Sequence, residues 1–183
     1  MITKFGYDFA KLCAQKGKRG VLSYSLGGPG YSQAYEDMIQ TALRHGVVVV
    51  CAAGNSGRDP GDDQVAAPAN GPSAIAVAAI DHKTGRMADF SSRGPEVDVA
   101  AAGVDLLGLA VVGGETRMSG TSMAAPIVAR VVACLLSTGR PVQEARQALL
   151  AGTVDTNHPV TSEGHGVVKA LKALGKLPLL QAA

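Results

Sequence analysis

Hydrophobic residues along this chain switch between two rhythms. From Thr3 to Gln15 they recur at Phe5, Phe9, Leu12 and Cys13, the spacing of one helix face. Val21–Leu26 reads as a short strand, closed by Gly27-Gly28-Pro29-Gly30. Ser32–Arg44 returns to helical spacing, with Ala34, Met38, Ile39, Ala42 and Leu43 on one side and Gly46 as its stop. Val47–Ala53 is a continuous apolar run of strand length, as expected for a strand covered on both faces. Gly54-Asn55-Ser56-Gly57 ends it, and a polar loop follows through Gln64. Ala74–Ile80 predicts another such strand and Asp98–Ala101 a shorter one. Met123–Leu136 is apolar nearly all round, which predicts a central rather than a surface helix, ended by Gly139. Pro141–Leu150 and Val167–Leu174 predict two further helices.

Strands alternating with helices, the strands themselves wholly apolar, predict an α/β fold built on a parallel sheet. Ligands in such sheets bind at the carboxyl ends of the strands. Three unusual loops fall at predicted strand ends or at a helix start: Ser25-Leu26-Gly27-Gly28, Ala52-Ala53-Gly54-Asn55 and Gly120-Thr121-Ser122. The last opens the longest apolar helix. Ser122 is placed as its N-cap or in its first turn, with Pro126 early enough to be tolerated. A hydroxyl there sits at the positive end of the helix dipole, which favours developing negative charge. An acyl-transfer site needs a nucleophile and donors for an oxyanion. Ser122 offers the first, and its own N–H with the Asn55 side-chain amide offers the second. Taken singly, a capping serine and a turn asparagine are the commoner readings.

Composition narrows this picture. The chain's 183 residues suffice for one domain with a sizeable core, and 46% hydrophobic against 17% charged residues exclude disorder. A net charge of +2 gives no reason to expect nucleic acid as partner. With 23 glycines and no tryptophan, strands and helices are expected to approach closely. The three cysteines, Cys13, Cys51 and Cys134, are odd in number and lack zinc spacing, and Cys51 and Cys134 read as buried thiols. Met1–Leu12 holds no continuous apolar stretch of signal-peptide type, and Val47–Ala53 is too short to cross a membrane. Gly27-Gly28-Pro29-Gly30 raises a nucleotide-binding loop, but no Gly-x-Gly-x-x-Gly or Walker pattern accompanies it.

Four motifs stand in register. They are Ser25-Leu26-Gly27-Gly28, Val47 through Asn55, Phe90-Ser91-Ser92-Arg93-Gly94-Pro95, and Gly120-Thr121-Ser122-Met123-Ala124-Ala125-Pro126. In order and spacing the chain resembles the C-terminal part of a subtilisin-like serine protease domain, from about Val21 to about Leu174. Gly164-His165-Gly166-Val167-Val168 and Ala170 fit the family's terminal segment. The resemblance implies a subtilisin-like three-layer α/β sandwich lacking its N-terminal strands, residues 1–183 forming one partial catalytic domain. It implies Ser122 as nucleophile and Asn55 as oxyanion-hole side chain. It places Ser25, Leu26 and Gly27 along an extended peptide substrate. Ala52, Ala53, Gly54 and the segment Ala66–Ala69 wall a pocket for an apolar side chain, beside Gly120 and Thr121. No cofactor is expected. Glu96 and Asp98, near Ala69, stand where some members hold a weak calcium or sodium ion, but they read more simply as solvated loop carboxylates. The family analogy points to secretion; the residues themselves name no compartment.

The chain departs from the family pattern in its first part. The family's aspartate and histidine motifs, an Asp-x-Gly and a His-Gly-Thr-His, are absent. The four histidines, His45, His82, His158 and His165, have no arrangement suited to a base. The sequence is therefore expected to be a fragment, a late start, or one partner of a split protein, inactive alone, with a missing segment or partner chain supplying His and Asp. A non-catalytic peptide-binding or scaffold role is the alternative. Val21–Leu26 is expected as an exposed apolar edge carrying Val21, Leu22 and Tyr24. Ala102, Ile127 and Arg130 replace the family's usual proline, histidine and glycine. Arg130 is expected either to meet a partner group or to mark an open face of its helix.

Overall fold

The computed structural model describes residues 1–58 and 64–175. Part of the predicted polar loop, 59–63, and the last residues, 176–183, lie outside the described residues.

The predicted alternation is present. The helix α1 (Ile2–Gln15) leads into β1 (Gly20–Tyr24), α2 (Gln33–Arg44), β2 (Val47–Ala52), β3 (Ile75–Ile80) and β4 (Val99–Ala102). A hairpin, β5 (Leu106–Leu109) and β6 (Glu115–Met118), then delivers the chain to α3 (Thr121–Ser137) and α4 (Val142–Ala151). The predicted helix Val167–Leu174 is instead a two-residue strand and one helical turn. Here β7 (Thr153–Val154), α5 (Val160–Glu163), β8 (Val167–Val168) and α6 (Ala170–Ala173) close the fold. Six strands form one sheet in the order β1-β2-β3-β4-β8-β7, parallel except between β7 and β8.

Two cores explain the all-apolar strands. Successive strand side chains point to opposite faces. Val48, Val50 and Ala52 meet α3, while Val47, Val49, Cys51 and Ala53 meet α1 and α2. Hence every residue of β2 and β3 is buried. The sheet is sandwiched between the α1–α2 layer and the α3–α4 layer. A polar clasp seals the entry to β3. Buried Glu36 of α2 accepts from the Ser73 N–H and hydroxyl, and Arg146 of α4 donates to the Ser73 and Ala74 carbonyls.

Several expectations change. The strand β1 does stand at the sheet edge, but its apolar side chains are covered. Leu22 and Tyr24 are only 6% and 5% exposed beneath α1 and α2, and Val21 is half-buried on the α3 side. What stays open is the backbone edge of β1. Arg130 is exposed, so it marks an open face of α3, which is central on its other side only. Cys13 joins Cys51 as a buried free thiol, whereas Cys134 is half-exposed on that open face. Asp98 is no solvated loop carboxylate: it turns inward and accepts from the Ala76 N–H at 2.8 Å. Glu96 is exposed. Among the described residues no three His, Cys, Asp or Glu side chains converge as a metal site would require. No described helix is long and apolar enough to cross a membrane.

Candidate active site

The carboxyl ends of β1 and β2 meet the first turn of α3. Ser122 is the second residue of that helix, and the N-cap is Gly120. Ser122 is therefore not the cap, and its N–H is among the helix's first, unpaired donors. Seventeen residues of aligned peptide dipoles stand behind it. Gly120 adopts φ 157° and ψ 158°, a region essentially restricted to glycine. A side chain there would fill a small space bounded by Met123 Sδ at 3.5 Å, Asn55 Nδ2 at 3.6 Å and the Ser122 nitrogen at 3.7 Å. Two residues 67 apart thus bring an amide nitrogen and a helix N–H to one void, the difference being 122 less 55.

The orientation of Asn55 is held from both sides. Its Oδ1 accepts from the Thr121 N–H at 3.0 Å and from the Thr121 hydroxyl at 2.9 Å. The same hydroxyl accepts from the Gly54 N–H at 3.2 Å. With Oδ1 so engaged, Nδ2 is the free end of the amide. The loop itself is pinned by buried Ser92. Its N–H donates to the Gly54 carbonyl at 2.9 Å, and its Oγ accepts from the Ser56 N–H at 3.2 Å. The Phe90–Pro95 motif therefore acts as the support of the Asn55 turn, a role its sequence did not reveal. Ser92 Oγ lies 2.8 Å from where a Gly54 Cβ would stand, and Gly54 has φ 115°, so glycine is required there twice over.

A cleft of about 560 Å³ opens beside this void, within the range of small-ligand pockets. Ser25, Leu26, Gly27, Ala52, Gly54, Asn55, Thr121 and Ser122 line it, as does Ala66. Ser25–Gly27 continue β1 as exposed backbone outside any ladder, and Gly28 then pairs with Ala67 across the cleft. Three expected wall residues are displaced. Ala53 and Ala69 are 0% and 1% exposed and belong to the core beneath α1 and α2. Gly120 is buried behind the void. Tyr31, Gln64 and Asn70 line the cleft unannounced. Asn70 is held there by donating to the Gly30 carbonyl at 2.9 Å. No Asp, Glu, Lys, Arg or His is among the described lining residues.

The histidines lie elsewhere. His45 follows α2, its Nδ1 on the Thr41 carbonyl, at the strand ends opposite the cleft. His158 Nε2 meets the Gly85 carbonyl, His165 adjoins Asp98, and His82 lies in the exposed turn after β3.

Proteins of similar sequence and fold are known. A model of the subtilase family matches residues 3–167, so α1 belongs to a resemblance that the motifs alone carried only from Val21. Subtilisin DY of Bacillus licheniformis is 43% identical over 117 residues, covering 64% of this chain and 42% of that protein. Subtilisin E of Bacillus subtilis (strain 168) is also 43% identical over 117 residues, 30% of its own length. The thermophilic serine proteinase of Bacillus sp. (strain AK1) is 41% identical over 129 residues, with 70% of this chain and 31% of that protein covered. Among solved structures, the prenylagaramide maturation protease PagA superposes with a TM-score of 0.77 at 26% identity, covering 93% of this chain and 66% of that one. The chain thus spans less than half the length of the subtilisins it matches. With the family's layered sheet, its motifs in register and a family match over nearly the whole described chain, the protein belongs to the subtilase family.

Proposed function

We propose that this chain carries the nucleophile and oxyanion half of a serine endopeptidase site. Ser122 Oγ attacks the carbonyl carbon of a peptide bond. The oxygen that becomes negative enters the void beside Gly120, where Asn55 Nδ2 and the Ser122 N–H donate to it. The observation that carries this reading is the joint approach of those two nitrogens to one space. Ser25–Gly27 receive the extended substrate backbone, and the uncharged cleft takes the side chain before the scissile bond. A buried charge without a partner is costly, so apolar side chains are favoured there.

The base is supplied from outside this sequence. No described histidine lines the cleft, and a serine hydroxyl without a base is a weak nucleophile at neutral pH. Loss of the base from such a triad lowers turnover by about 10⁶-fold. A segment carrying the base and its aspartate lies along the open backbone edge of β1. Both helices that cover β1 also carry exposed apolar side chains, Phe5 at 58%, stacked on Phe9, and Ile127 at 39%.

The test uses the whole chain, a fluorophosphonate probe and added imidazole as external base. The Ser122 oxygen forms a bond to phosphorus, its proton passes to imidazole, and fluoride leaves. Labelling that rises with imidazole concentration and vanishes in S122A is expected. A peptide-binding role without catalysis is the second reading, favoured by the missing histidine. It predicts peptide binding with no imidazole-dependent labelling, and that result would overturn the first.

A further inference from the structure

Inside a helix each carbonyl accepts from the N–H four residues on. For Ser122 that residue is Pro126, which has no N–H. As expected from the sequence, Pro126 is tolerated, since α3 runs unbroken through it, but not because it lies in the first turn. It is the sixth residue of α3, beyond the first turn, and its ring also crowds the carbonyl four residues back. The carbonyl so deprived and displaced belongs to the candidate nucleophile itself. Its replacement donor comes from another element: the Ser25 hydroxyl, just past β1, donates to the Ser122 carbonyl at 2.9 Å across 97 residues of sequence.

We propose that Ser25 is a positioning residue for Ser122, its hydroxyl standing in for the N–H that Pro126 lacks and so fixing the first turn of α3 against the end of β1. This rests on the reading of Ser122 as nucleophile and deepens it. Ser25 is exposed and spends its hydroxyl on the helix, so its task differs from that of its backbone, which faces the cleft. The pairing is also reciprocal. Proline releases the Ser122 carbonyl from the helix, and serine at 25 captures it. The end of β1 thereby becomes part of the nucleophile's support. Asn55 already reaches the same turn from β2 through Thr121. Two adjacent strand ends therefore hold one helical turn, one at its N–H side and one at a carbonyl.

The experiment is a cycle of S25A, P126A and the double variant S25A/P126A, with S25T as the conservative control. P126A restores the intrahelical donor and should make the Ser25 hydroxyl redundant. Each full chain is labelled with a fluorophosphonate in imidazole, separating the maximal rate kinact from the binding constant KI, and is melted. S25A is expected to lower kinact about tenfold, the scale on which a misplaced reacting group shows, with KI nearly unchanged. It is also expected to lower Tm by about 2–4 °C, the scale of one net hydrogen bond of about 1 kcal/mol in a chain of this size. S25T should retain both properties, and S25A should change neither by much when added to P126A. The same loss in both backgrounds, or no loss in either, would overturn the proposal. Should the unsubstituted chain resist labelling, the reading of Ser122 as nucleophile fails and the positioning role falls with it. The Tm cycle then reports separately whether the contact holds the turn.

Discussion

Replacing Thr121 with valine removes one oxygen and almost nothing else, and the geometry around that oxygen sets the cost. Thr121 is 1% exposed, so the new methyl group occupies the old hydroxyl's place without gaining water. Two contacts disappear: donation to Asn55 Oδ1 at 2.9 Å and acceptance from the Gly54 N–H at 3.2 Å. Asn55 keeps the Thr121 N–H at 3.0 Å, so its amide is loosened rather than released. The Gly54 N–H loses its acceptor in a half-buried position. One net hydrogen bond plus a partly solvated orphan donor comes to about 2 kcal/mol. For a chain of this size that is a drop of about 4–8 °C in Tm. Differential scanning calorimetry measures it, and T121S, which keeps the oxygen, is expected to lose far less. In the imidazole-assisted labelling assay T121V should be slower than T121S, because only T121S holds Nδ2 towards the void beside Gly120. A T121V chain as stable and as reactive as T121S would refute the claim that this hydroxyl orients Asn55.

Two predictions concern groups away from the cleft. Tyr24 is buried, its hydroxyl has no partner among the described residues, and burial pushes its pKa up to about 12. Y24F discards that unpaired group and is expected to raise Tm by about 2–4 °C; a lower Tm would show that the hydroxyl is satisfied after all. Burial, opposed by the Ala76 N–H and the charges of Arg146 and His165, raises the Asp98 carboxyl above its ordinary value. The folded chain then holds that proton more tightly than the unfolded one, so Asp98 costs stability as pH climbs from about 4 through the raised folded value. D98N keeps an acceptor for Ala76 and cannot ionise. Its Tm advantage should widen from pH 4 towards 7, and a flat or shrinking difference contradicts the assignment.

The elements readable from the sequence were those whose packing repeats along the chain. Both faces of β2 and β3 are covered, so their sequences are unbroken apolar runs. The helices α1 and α2 each bury one side. The hairpin β5–β6 was missed because it does the opposite: Leu107, Leu109, Val111 and Val112 face solvent, so no buried stripe marks it. Strands β7 and β8, two residues each, are shorter than any period. In the candidate site, Ser122 and Asn55 were singled out by their places at a helix start and past a buried strand, and the structure brings both to the void beside Gly120, while Ala53 was misplaced by neglecting parity. Ala52 lines the cleft, so the next side chain along an extended backbone must face the opposite core. The role of Ser92 was invisible for another reason. It acts through bonds to Gly54 and Ser56, which are 38 and 36 positions away in sequence, so no local pattern records it.

The open edge and the site are mechanically separable, which bears on how a chain with a bare sheet edge can still hold two groups in place. The void beside Gly120 is built from the ends of β1 and β2 and the start of α3. Each is fixed by contacts internal to the described chain: Ser25 to Ser122, Thr121 to Asn55, Ser92 to the Asn55 loop. None of these uses the free hydrogen-bonding edge of β1, because Leu22 and Tyr24 anchor that strand through its face. The orienting half of the site therefore needs no neighbour along that edge to keep its shape. Under the proposed function the edge serves delivery: a segment pairing there would lie alongside the strand whose end carries Ser25, one hydrogen bond from Ser122. Preorganised donors with a separately supplied base predict that oxyanion binding survives in the isolated chain while proton transfer does not, and the imidazole dependence of labelling measures that division.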